Sequence, residues 1–175
     1  MIALIPLLAA TIAAVPAAAG ELRVTISTVR SNDGEILIGL YNNAAGFQRA
    51  IANGSTRGLT PDSGRLAGMA IRARRGTQTA VFTQLPPGRY AVIVVDDEND
   101  NGRLDKSALG LPTEAYGFSN DAHGFLGAAP SFDAAAITLG SSDKTISINL
   151  IAPGAASTEN GGYDYGSGSS RQSGN

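Results

Sequence analysis

The 175-residue chain has no cysteine. Disulfides, cysteine-bound zinc, iron–sulfur clusters, thiol catalysis and a lipid-bearing N-terminal cysteine are thereby excluded. The single histidine, His123, rules out His-rich metal sites and any chemistry that needs two imidazoles. Charge is sparse, at 16 % of residues, and the formal net charge is −2. Nucleic acid is therefore not the expected partner, since it calls for a basic surface. Apolar residues make up 43 % of the chain. That suffices for one domain with a real core, and the length is too small for two large ones.

Both ends lack something a folded domain needs. Residues 1–20 carry no charged side chain and are almost wholly apolar or small. Pro6 and Pro16 interrupt the run, and Ala17-Ala18-Ala19 supplies the small-residue pattern read by a signal peptidase. A transmembrane helix needs about 20 continuous apolar residues with charged anchors. Residues 1–19 are thus expected to be a cleaved export signal, although no Lys or Arg follows Met1. Cleavage would leave a periplasmic or extracellular protein with no stable membrane insertion. Residues 152–175 have no Leu, Ile, Val or Phe and hold 11 Gly or Ser among 24 positions. Such a segment cannot offset its ordering entropy and is expected to be a disordered tail.

The intervening residues 20–151 read as an all-β domain, a single Greek-key β-sandwich of about seven strands, immunoglobulin-like or transthyretin-like. Leu22, Val24 and Ile26 alternate with Arg23, Thr25 and Ser27. Asn32-Asp33-Gly34 makes a turn, and Glu35–Tyr41 is expected as the second arm of a hairpin. Strands follow at Met69–Arg75 and Thr77–Thr83, and Leu85-Pro86-Pro87-Gly88 is a strong turn signal. Arg89–Val95 is the most apolar strand and should be central, and Ala136–Leu139 and Thr145–Ile151 close the domain. Residues 43–58 offer one short helix with Phe47, Ala50 and Ile51 on a shared face. That insertion and the excursion 96–135 are too long for hairpin turns and are where a function would be mounted.

Five of the 15 acids fall within residues 96–105. From Asp97 the spacing is D-x-N-x-N-G-x-L-D, the front of an EF-hand-type loop. Calcium takes six to eight hard oxygens, and alternate side chains on a curled backbone supply them. The ligand set read this way is Asp97, Asn99, Asn101, the Arg103 carbonyl and Asp105. Position twelve, where an EF-hand has a bidentate Glu, is Ala108, and no helices flank the loop. Glu114, Asp121 or Asp133 would have to complete the shell, and affinity would be weak. The competing reading is an acidic turn held by its own side-chain-to-backbone hydrogen bonds.

The segment Gly110–Asn120 (GLPTEAYGFSN) sets aromatics among Gly, Ser and Asn, as ligand-facing loops do. Tyr116, Phe118, Asn120 and Phe132 are candidate contacts for a sugar or peptide. Alternatively Phe118, Phe125 and Phe132 turn inward and peg the excursion to the sandwich. His123 reads as a loop hydrogen-bonder. An enzyme is not expected: no nucleophile elbow exists, and nothing near His123 in sequence would orient it. The alternative is a hydrolase acting on envelope glycans through Glu114 with Asp121 or Asp133. Arg65, Arg72, Arg74 and Arg75 form a basic strand edge, of the kind that meets anionic polymers or blocks edge-to-edge aggregation.

Leu85–Ala91, Asp97–Asp105, Gly110–Asn120 and Pro130–Phe132 together resemble the bacterial family called domain of unknown function 2141. Its pattern is close to LPPG-x-Y-A, then DENGNGKLD, then G-x-P-x-E-x-YGFSN, then P-x-F. The likeness spans about residues 22–151. Asp100 stands where that family usually has Gly, and Asp96 where an imidazole is common. The resemblance implies an exported, periplasmic β-sandwich and no particular activity. The combined expectation is a binding or adaptor module of the cell envelope, with an envelope protein or glycan as partner and calcium as its weakly held ion.

Overall fold

A computed structural model describes residues 19–123 and 129–153. Residues 1–18 of the expected signal, residues 154–175 of the expected tail and Phe125 lie outside the described residues. Among the described residues eight strands form two sheets. β1 (Gly20–Val29) lies between β4 (Gly76–Leu85), antiparallel to it, and β8 (Lys144–Asn149), parallel to it. The second sheet runs β3 (Ala67–Arg72), β2 (Glu35–Tyr41), β5 (Gly88–Asp97), β6 (Tyr116–Phe118). β7 (Ile137–Leu139) also pairs with β5, at Gly88–Tyr90, so β6 and β7 share one edge of β5 end to end. The all-β sandwich expected from periodicity is thus present, with eight strands in place of about seven. β6 escaped notice because three residues cannot show an alternation.

The expected first hairpin does not form. The turn at Asn32–Gly34 exists, but β1 and β2 belong to different sheets. Leu22, Val24 and Ile26 face Ile36, Ile38 and Leu40 across the sandwich, all fully buried in one cluster. Alternation fixes which side of a strand is apolar, and two such strands bury it equally well side by side or face to face. The choice is made at Thr28, held at φ +64° after a register shift in β1. A β-branched residue in the left-handed region bends the strand out of line.

β5 is central, as its composition demands. Tyr90, Val92 and Val94 join the inter-sheet core, while Ala91, Ile93 and Val95 point to the opposite face. That outer face is covered by a third layer absent from the simple sandwich expectation. It consists of α1 (Ala44–Asn53), the short α2 (Phe132–Ala135) and the excursion between β5 and α2. Phe47 of α1 is its hub, edge-on to Tyr41, Phe118 and Phe132 at 5.9, 6.1 and 6.0 Å between ring centres. Burial on both faces is why β5 reads as a continuous apolar run.

Asn43 caps α1: its side-chain oxygen accepts from the Gly46 N–H at 2.8 Å. Sequence inspection found the apolar face of this helix but not its cap. Asn43→Ala leaves that donor unmet and is expected to cost about 1 kcal/mol, read as a lower urea midpoint with unchanged slope.

Candidate functional site

The acidic loop leaves the end of β5 and is curled by its own side chains. Asp97 accepts from the backbone N–H groups of Asn101 at 3.0 Å and Gly102 at 2.6 Å. The side-chain amides of Asn99 and Asn101 both donate to Asp105 Oδ2, at 2.7 and 2.9 Å. Asn101 Oδ1 in turn accepts from the Arg103 N–H at 3.1 Å, and Arg103 Nε lies 3.5 Å from Asp105 Oδ1. The Asn99 amide chiefly, joined by Asn101 and Arg103, holds the Asp105 carboxyl below its ordinary pKa against the opposing effect of desolvation.

Glu114 lies beneath the loop, only 4 % exposed. Its two oxygens accept from the Glu98 N–H at 3.2 Å and the Asp105 N–H at 2.8 Å, so one carboxylate ties both flanks of the loop together. Burial pushes its pKa up, with the Asp97 and Asp105 carboxylates adding to the rise and the two backbone donors opposing it.

Of the residues read as metal ligands, Asn99, Asn101 and Asp105 interlock through their side chains, while Asp97 and Glu114 hold the loop backbone. Arg103 enters through its backbone N–H and guanidinium. The hydrogen-bonded loop of the competing reading is present as such. Among the described residues no group of three or more His, Cys, Asp or Glu side chains is gathered around one point. The groups that meet Asp105 Oδ2 are the amide nitrogens of Asn99 and Asn101. An amide is a donor on one side and an acceptor on the other, so a half-turn of Asn99 and Asn101 presents two carbonyl oxygens to Asp105 Oδ2.

Asp121 and Asp133 do not join Glu114. Asp121 is exposed. Asp133 is in solvent, paired with Arg89 at 2.8 Å. Phe132 is buried and Phe118 half-buried against Phe47, the inward-facing of the two readings. The Arg89 guanidinium covers Phe132 at 5.6 Å. Asn120, at φ +60°, donates to the Ala134 carbonyl at 2.8 Å and fastens α2. Tyr116 is half-buried, its hydroxyl pKa raised by that burial. Arg65 donates to the Leu59 carbonyl, which removes it from the expected basic edge.

Three features of the site gave no sequence signal. Ser119 is fully buried: its hydroxyl accepts from the Val92 N–H at 2.8 Å and donates to the Ala135 carbonyl at 2.6 Å. It fills the gap in the β5 ladder between β7 and β6. Gly34 and Gly58, at φ +68° and +66°, press against the loop backbone. A Cβ on either would stand 1.8 Å from the carbonyl oxygen of Asp97 or Gly102 respectively. Finally, Leu104 N–H donates to the Gly54 carbonyl at 3.0 Å, which joins the loop to the end of α1.

A family model described as "Uncharacterized protein conserved in bacteria (DUF2141)" matches residues 24–147. The chain belongs to this family. The match runs from within β1 into β8, so the DUF2141 unit is the sandwich together with its third layer and acidic loop. No curated protein and no solved structure matches the chain.

Proposed function

We propose that the chain is an exported binding or adaptor module of the bacterial cell envelope, whose loop 97–105 takes a weakly held calcium ion. The observation that supports this reading is the meeting of Asn99 and Asn101 on Asp105 Oδ2, at 2.7 and 2.9 Å. Rotation of the two amides makes a three-oxygen cluster there, to which Asp97 and the Arg103 carbonyl add further oxygens. Glu114 completes the shell by giving up one backbone donor. The ion has to displace these hydrogen bonds and the Arg103 guanidinium, which favours a dissociation constant of about 10⁻⁴–10⁻³ M. Export rests on the uncharged apolar stretch 1–19 and its alanine triplet. In this reading the ion stiffens the excursion, and an envelope protein or glycan docks on it; no catalytic role is assigned.

Calcium at about ten times its dissociation constant should stabilise the fold by about 1.4 kcal/mol, raising Tm by several degrees. Asp97→Ala should remove the rise. Because it also strips two backbone hydrogen bonds, Asp105→Asn serves as the milder variant and should reduce the rise while keeping the fold. Differential scanning fluorimetry with calcium, magnesium and chelator reads all of this. An unchanged Tm in calcium would leave only the self-bonded turn.

A further inference from the structure

The outer face of the larger sheet is not completely filled. A cavity of about 200 Å³ lies between α1 and the excursion. Ile93 and Val95 of β5 line it, together with Ile51 of α1, Leu104 and Phe118. Its charged or titratable margin is small: Lys106 and His123, both exposed, and the half-buried Tyr116 belong to the lining. The chain from Lys106 to Pro112 forms a tight hairpin along one side, closed by Ser107 N–H to the Leu111 carbonyl at 2.8 Å and Gly110 N–H to the Ser107 carbonyl at 2.9 Å. That hairpin holds Leu109 and Leu111 at 86 % and 56 % exposure.

These walls select the ligand chemistry. A sugar would leave its hydroxyls unpaired against isoleucine, valine and leucine, which is costly. A purely hydrocarbon ligand would make no use of Lys106 in the lining. An apolar chain ending in one anionic group satisfies both. At roughly 30 Å³ for each water-sized group, the cavity holds about seven such groups. We propose that this cavity binds an aliphatic carboxylate of about six to eight carbons, its chain on Ile93 and Val95 and its carboxylate on the Lys106 ammonium. Exposed Leu109 and Leu111 extend the apolar surface next to the site. The assignment rests on the reading of the excursion as the ligand-bearing element and is independent of its calcium.

The test is calorimetric titration of the full chain with straight-chain carboxylates of four to twelve carbons, kept monomeric, and with the matching alcohols. Each is run in calcium and in chelator. One site is expected, with affinity rising about fourfold per methylene up to about eight carbons and then levelling. Lys106→Gln should weaken the carboxylates about tenfold and leave the alcohols unchanged. Ile51→Trp should fill the cavity and abolish binding; if that variant fails to fold, the chain-length profile and Lys106→Gln carry the test. Affinity that keeps rising to twelve carbons, or several sites per chain, means surface adsorption and overturns the assignment. Calcium-dependent stabilisation without carboxylate binding overturns it and spares the calcium reading. Carboxylate binding without any calcium response upholds the cavity and removes the ion.

Discussion

Asp96→Asn is expected to stabilise the protein at pH 7.5 by as much as about 3 kcal/mol and to change little at pH 4. Asp96 is fully buried on the inter-sheet face of β5, and neither carboxylate oxygen has a hydrogen-bond partner. Burial first, then the neighbouring Glu98 carboxylate, push its pKa from 3.8 to about 6; Asp97 adds to the rise, and the Arg30 backbone and guanidinium oppose it. The folded protein therefore holds this proton more tightly than the unfolded chain does. Stability from Asp96 is whole below about pH 4 and is lost as pH rises through about 6. Asparagine keeps the shape and removes the charge. Urea melts from pH 4 to pH 8 should show the two proteins diverging from about pH 4 and the gap levelling off above about pH 6. A constant offset across that range would mean that ionisation is not the cause.

Gly58→Ala should act in the opposite direction and nearly as strongly, costing about 3 kcal/mol or roughly 10 °C in Tm. At φ +66° an alanine pays for the left-handed backbone, and its methyl would overlap the Gly102 carbonyl oxygen at 1.8 Å. Both parties are backbone, so neither can rotate aside. Gly102 must move, and with it the N–H that holds Asp97. The variant should therefore lose the calcium response together with its stability. Gly102→Ala is the control: it shares the positive φ, at +79°, but a Cβ there meets nothing within 4 Å. A loss confined to about 1 kcal/mol is expected for it. Equal losses at the two positions would refute the clash.

The site was legible wherever chemistry and spacing coincide in a short run. Asp97, Asn99, Asn101 and Asp105 lie within nine residues; the fold sets the Asn99 and Asn101 amides on Asp105, while Asp97 turns to the Asn101 and Gly102 N–H groups. Glu114 was one of three acids offered as a completing group; only packing distinguishes it, by burying it under the loop while Asp121 and Asp133 stay in water. Ser119, Gly34 and Gly58 act on partners tens of residues away. No local pattern encodes such contacts. Asp96 shows the converse: it stood in plain view as one acid among five, and nothing local said that it faces the interior.

Periodicity and turn chemistry alone determined that the chain makes strands, that β5 is central and that residues 43–58 hold a helix, because these follow from side chains a few positions apart. The tertiary structure alone decided how the strands are shared between sheets, and it placed a third layer over β5. Either face-to-face or side-by-side packing hides the same apolar stripe, so a strand's own residues cannot choose between them. The positive φ at Thr28 and the complementary faces of β1 and β2 make that choice, and the space left under the third layer follows from it.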